Sequence, residues 1–206
     1  MSALLRLDSS PLETSVSRAL TDEFVTAWKA THPDGVVIVR DLTLTPPPPI
    51  DAVWIGACFT PPQQRTAEQN GRLALSDAFL EELERADEYA IGVAMHNFSI
   101  PAVLKLWIDQ VVRVGRTFAY SDGRPQGLLQ GKKATILAAT GGVYSAGTPA
   151  EGMNFLDPYL KTVLGFLGVR DIQVVTAGGT SQLRNPDVDR EAFLEPVLQR
   201  VRETAA

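Results

Sequence analysis

The sequence predicts an α/β fold: a single domain over residues 1–206, built on an open, doubly wound, five-stranded parallel sheet with helices on both faces. Three observations predict it. Short apolar runs alternate five times with longer stretches of helical spacing. Parallel neighbours need such crossover helices, and the crossovers are right-handed. The strand runs are apolar at consecutive positions, as in a sheet covered on both sides. The chain is also of a length, 206 residues with 45% hydrophobic, that suits one domain with a sizeable core. Five βα units are too few for an eight-stranded barrel.

The elements follow in order. Leu4-Leu5-Arg6-Leu7 is the first strand. A helix runs from about Ser15 to Lys29, with Ala19, Leu20, Phe24 and Val25 at helical spacing. Val36 to Val39 are β-branched throughout and form the second strand. Pro46 to Pro49 make an extended surface stretch. Leu73, Phe79, Leu80 and Leu83 mark a helical face, and Tyr89 to Ala94 the third strand. The next helix follows Pro101, which suits a first turn. It carries Val103, Leu104, Trp107, Ile108, Val111 and Val112 over an arc wider than one sheet face covers, which points to a homodimer. Ala134 to Ala139 is the fourth strand. Phe155 to Leu167 is helical, with Gly168 as its C-cap. Ile172 to Thr176 is the fifth strand and Asp187 to Arg202 the last helix.

Composition excludes several function classes. The net charge is −5 with no polybasic run, so a nucleic acid finds little attraction. No apolar run approaches the roughly 18 residues of a membrane span, and the first residues lack a signal-peptide layout. Cys58 is the only cysteine, which matches a reducing cytoplasm and reads as packing. With two histidines besides, no metal cluster assembles. His32 reads as solvated at a helix end.

In a doubly wound sheet, ligands bind beyond the carboxyl ends of the strands. Three segments stand there. The loop from Asp8 offers Ser9, Ser10, Ser15 and Ser17 at the start of the first helix. A helix N-terminus presents free N–H groups and partial positive charge, so it suits a phosphate. Plain N-capping by Ser15 is the alternative. The loop has neither G-x-G-x-x-G nor G-x-x-x-x-G-K-[ST], which argues against a Rossmann dinucleotide site and a nucleotide triphosphatase. Met95-His96-Asn97-Phe98 follows the third strand. Met95 and Phe98 can lie on a flat ring with Asn97 at its edge, or simply join the core. Thr140-Gly141-Gly142-Val143-Tyr144 follows the fourth strand. Its glycines allow close backbone approach and positive φ, or make a plain turn.

These pieces resemble the FMN-dependent NADH-azoreductases and NADH:quinone oxidoreductases, flavodoxin-like proteins, over nearly the whole chain. The resemblance rests on the order of Ser10 and Ser15-Val16-Ser17, Met95-His96-Asn97-Phe98, Gly115 to Tyr120, Gly127 to Ala134, and Tyr159 to Gly168. It implies FMN, with the phosphate on Ser10, Ser15, Val16 and Ser17. The ring would lie at Met95, His96, Asn97 and Phe98, its polar edge along Ala139, Thr140, Gly141 and Gly142. Tyr120 and Tyr144 would line the substrate pocket. It also implies a ping-pong transfer of two electrons from NADH or NADPH to a quinone or azo compound, with no catalytic side chain. Each site would be completed by the partner chain of a homodimer. The chain departs from the family pattern at His96, often Tyr, at Ala139-Thr140, often Ser-Arg, and at Tyr144, often His. A rival reading is a flavodoxin-type electron carrier. Carriers have a more compact phosphate loop and a more acidic surface.

Overall fold

The computed structural model describes residues 2–205. Its main sheet is five-stranded and parallel, in the order β2-β1-β3-β6-β7. The strands are β1 (Ala3–Asp8), β2 (Val36–Asp41), β3 (Glu88–Ala94), β6 (Lys133–Ala139) and β7 (Asp171–Ala177), while β4 (Phe118–Ser121) and β5 (Arg124–Gly127) form a separate antiparallel hairpin. The order reverses at β1, which leads outward to β2 while β3 lies on its other side. A doubly wound sheet opens its ligand crevice at such a switch point.

The helices are α1 (Val16–Thr31), α2 (Ala52–Phe59), α3 (Ala67–Arg85), α4 (Ala102–Val111), α5 (Asp157–Leu167) and α6 (Arg190–Ala205). Side chains alternate across each strand, so the sheet has two cores. On one face Leu5, Leu7, Ile91, Val93 and Ile136 pack against Phe79 and Leu83 of α3, Trp107 and Val111 of α4, and Leu160 and Leu164 of α5. On the other, Leu4, Ala90, Leu137 and Val175 meet Leu20, Phe24 and Trp28 of α1 and Val197 and Val201 of α6. Gly92 brings α1 close. A Cβ there would lie 2.7 Å from Thr21 Cγ2 and 2.9 Å from Asp8 Oδ1. Its absence seats the N-terminus of α1 over the ends of β1 and β3.

Most sequence-predicted elements stand within a few residues of their expected bounds. Gly168 ends α5 in the left-handed region at φ 106°. Pro101 sits one residue earlier than expected, as the N-cap of α4. Helix α2 and the β4–β5 hairpin are additions to the predicted set. His32, partly exposed at the end of α1, stacks on Trp28 with ring centroids 4.5 Å apart, and its Nδ1 lies 3.1 Å from the Trp28 carbonyl oxygen. Cys58 packs with Trp54, Ala57 and Leu73. The wide apolar arc of α4 is covered by the chain's own core, with Trp107, Ile108 and Val111 buried and Val103 and Val112 packed against them. Val103 and Val112 at the margin of the arc stay partly exposed. The uncovered apolar side chains lie elsewhere, among them Leu44, Ile55 and Phe59 near α2, and Phe98 and Phe155.

Candidate functional site

The loop between β1 and α1 is rich in hydroxyl donors. Ser15 is the N-cap of α1 in extended conformation, yet its side chain caps nothing. Its hydroxyl lies 3.0 Å from that of Ser17 instead. Both side chains are buried, with Ser15 8% and Ser17 1% exposed. The N–H groups of Val16, Ser17 and Arg18 find no acceptor among the described residues. Buried hydroxyls and free first-turn N–H groups together make a cradle for an anion, and the helix dipole adds to it. Ser10 is buried in the same loop. Ser9 drops out of the donor set, because its Oγ donates to the Gly92 carbonyl at 2.8 Å.

Beneath the loop lies an ionic network that the sequence reading left out. Asp8, 2% exposed, accepts from Thr21 Oγ1 at 2.8 Å and from Arg6 Nε at 2.7 Å. Arg18, in the first turn of α1, donates to the Ser10 carbonyl through Nε at 3.0 Å and Nη2 at 2.6 Å. Its Nη2 also reaches Asp41 Oδ2 at 2.7 Å. Burial pushes the Asp41 carboxyl up. The Thr43 hydroxyl and N–H and the Arg18 guanidinium outweigh that and hold it below the ordinary carboxylate value.

The second segment is a turn. His96 N–H donates to the Ser99 carbonyl at 2.9 Å and Ser99 N–H returns to His96 at 3.1 Å. Asn97 and Phe98 between them have φ of 47° and 73°. Two consecutive positive φ values mark a type I′ turn. Asparagine tolerates this; phenylalanine does not, and its left-handed backbone costs about 1–2 kcal/mol. The strained ring is not core: Phe98 is 41% exposed. It meets Tyr144 edge to face, with centroids 6.3 Å apart at 82°. The Asn97 amide makes no hydrogen bond to the described residues. Met95 is half-buried against the core.

The third segment is held from behind. The carbonyls of Thr140, Gly141 and Gly142 accept from the N–H groups of Thr180, Ser181 and Gly179 at 3.0, 3.1 and 2.9 Å. With the carbonyls so engaged, the N–H groups of Gly141, Gly142 and Val143 face no acceptor among the described residues. Neither glycine adopts positive φ, contrary to the expectation from sequence. A Cβ added at Gly141 would meet open space, and one at Gly142 would lie 3.2 Å from the Tyr144 ring. The bracing residues Gly179, Thr180 and Ser181 were not singled out. A Gly-Gly-Thr-Ser run directly after the last strand is the signal for them.

The segments thus converge at the carboxyl ends of β1, β3 and β6 as an anion cradle, a ring-bearing turn and a donor-lined edge. Ala139 ends β6 between the last two: its carbonyl accepts from Met95 N–H at 2.8 Å. A cavity of about 780 Å³ adjoins this crest under the 143–158 segment. Of the predicted residues, it is lined by Thr140 and Tyr144. Tyr120 is set apart from the crest. It lies on the hairpin beside Phe118, which packs on Phe166 in the last turn of α5, at the amino end of β7. No group of acidic, histidine and cysteine side chains among the described residues could hold a metal ion. None of the helices among them is long and apolar enough to cross a membrane.

The strand order and the donor-lined crest define a flavodoxin-like α/β protein, and a family model described as a flavodoxin-like fold matches residues 2–201. The chain is 96% identical over 206 residues to the FMN-dependent NADH:quinone oxidoreductase of Acidobacterium capsulatum, covering all of both proteins. It is 47% identical over 203 residues to FMN-dependent NADH:quinone oxidoreductase 3 of Burkholderia lata, covering 98% of each. Among solved structures, the azoreductase from Bacillus anthracis str. Sterne superposes with a TM-score of 0.89 at 30% identity, over 100% of this chain and 99% of that one. An FMN-dependent NADH-azoreductase from Bacillus anthracis str. Ames Ancestor, in complex with FMN, gives 0.87 at 26% identity, over 100% of this chain and 98% of that one. The chain belongs to the family of FMN-dependent NADH:quinone oxidoreductases.

Proposed function

We infer that this chain is an FMN-dependent oxidoreductase that passes electrons from NADH to quinones and azo compounds. The observation that carries the reading is the crest itself: buried Ser15 and Ser17 hydroxyls with unengaged N–H groups at one end, and an unengaged N–H edge at the other. The residues fit a flavin monophosphate. Ser10, Ser15, Val16 and Ser17 would hold its phosphate by charge-assisted hydrogen bonds. Gly141 and Gly142 would donate to the polar ring edge, with Ala139 and Thr140 beside them. Met95, His96, Asn97 and Phe98 would carry the ring, Phe98 by its face and Asn97 by its amide. The chemistry the cofactor supplies is two-electron transfer between NADH and a quinone or azo acceptor.

The chain's own part is placement and exclusion of water. Phe98 and Tyr144 make an aromatic wall at the exposed side of the turn. Donor and acceptor use that side in turn, so the kinetics are ping-pong. Arginine is absent before Gly141, where Thr140 spends its hydroxyl on the Gly142 carbonyl at 2.8 Å. That leaves the edge with neutral donors only. The working unit is a homodimer. Uncovered Ile55, Phe59 and Leu44 support an interface near α2. Tyr120, remote from the crest of its own chain, reaches the pocket of a second copy. The cytoplasm, a reducing compartment, suits the unpaired Cys58.

The test is NADH-driven turnover of a benzoquinone and of a phenylazo dye with FMN supplied. Turnover that requires FMN is expected. A protein that retains FMN but supports neither reaction is an electron carrier, and that result overturns the reading. Sedimentation of the FMN-bound protein at micromolar concentration checks the dimer; a monomer contradicts it.

A further inference from the structure

We propose that Arg18 is a positioning residue for the cofactor phosphate and sets the chain's preference for FMN over phosphate-free riboflavin; the inference rests on the FMN reading above. Arg18 occupies the third residue of α1, directly after Val16 and Ser17, whose N–H groups are unengaged. A cation at that place would ordinarily reach for the anion. Here the guanidinium turns inward. Nε and Nη2 both grip the Ser10 carbonyl, and Nη2 continues to Asp41 and, at 3.3 Å, to Thr43 Oγ1. Nη1 lies 3.8 Å from Asp8 Oδ2.

Two consequences follow from this grip. The Ser10 carbonyl is a partial negative charge in a loop that must accept a dianion. Held by a two-pronged donor, that carbonyl is engaged by Arg18 and is removed as an acceptor beside the dianion. The second consequence is charge. Asp8 and Asp41 end β1 and β2, immediately before and beside the serine loop. Arg6 pairs with Asp8 and Asp22 but makes no ion pair with Asp41. Arg18 is the cation that meets Asp41. Without it, a partly buried carboxylate would face the phosphate site unpaired and raise the cost of bringing a dianion there. Both effects act on the phosphate and neither acts on the ring.

The experiment compares FMN and riboflavin affinity by quenching of flavin fluorescence in wild type, Arg18→Gln, Arg18→Lys and the double variant Arg18→Gln with Asp41→Asn. Arg18→Gln is expected to weaken FMN about tenfold or more, the usual worth of a lost charge-assisted contact. Riboflavin affinity stays within about twofold, since it has no phosphate to feel the change. Removing the Asp41 charge as well restores part of the FMN affinity. Arg18→Lys keeps the charge but not the two-pronged grip, and falls between. If Arg18→Gln does not fold, as judged by circular dichroism, Arg18→Lys carries the test by the same FMN-to-riboflavin ratio. An equal loss for both flavins, or no loss for either, overturns the proposal. A wild-type chain with no preference for FMN overturns the underlying reading instead.

Discussion

The two ends of the crest are built on opposite plans. The serines of the first loop are buried, braced by Arg18 from below, and none of them has a positive φ. The turn at Asn97 and Phe98 is exposed and strained, with two left-handed residues side by side. Buried, preorganised donors favour a ligand that stays, because little ordering remains to oppose binding. An exposed aromatic held in a costly conformation favours contact with something that comes and goes. One region reads as an anchor, the other as the working face.

Four variants break or sharpen this contrast. The largest effect is expected from Ser15→Ala with Ser17→Ala. Two hydrogen bonds to a charged phosphate disappear, at about 3 kcal/mol or more in FMN affinity by fluorescence titration. Because Ser15 makes no side-chain cap, the melting of the flavin-free protein should change little. A large drop in stability would mean that the hydroxyls serve the helix rather than the ligand. Asn97→Ala comes next. It leaves a polar ring edge unpaired at about 1–3 kcal/mol, read in FMN affinity, in the rate of flavin reduction, or in both. If neither changes, the ring does not lie on this turn.

Phe98→Gly tests the strain. Relief of about 1–2 kcal/mol offsets the extra freedom glycine has when unfolded. The variant should therefore melt no lower than the wild type while acceptor turnover falls. A lower melting point would make Phe98 a packing residue. His96→Tyr should have the smallest effect on the anchor, with FMN affinity within about twofold and a changed ratio of quinone to azo turnover. A loss of retention there would move His96 from the working face to the anchor.

Much of this was legible in the sequence because it is local. The β-branched run at Val36, the helical spacing of Leu73 and Leu83, and Gly168 after Leu167 each report a structure formed within a few residues. Ser15 and Ser17 stood out as hydroxyls at a helix start. What escaped depends on distance or on mixed signals. The apolar residues of α2 run all round the helix around Gly56, so no periodicity marks it. The β4–β5 hairpin carries an Asp122-Gly123 turn with φ of 53° and 72°, a strong local signal. Its flanks, four residues each and holding Pro125 and Gly127, lack the alternation that completes such a signal. Arg18 reads as an ordinary helix-surface residue until Asp41, on another strand, is brought beside it. Likewise, the bracing of Thr140 to Gly142 by residues 179–181 exists only after β6 and β7 pair.

The division between anchor and working face is tested most directly by single-turnover reduction by NADH, with each protein first saturated with FMN. Rapid reduction is expected in the wild type, with an unchanged rate in the Ser15 and Ser17 double variant once enough FMN is present to fill the site. Asn97→Ala should be reduced more slowly than either at saturation. Wild-type reduction no faster than that of free FMN, or an equal slowing in both variants, would contradict it.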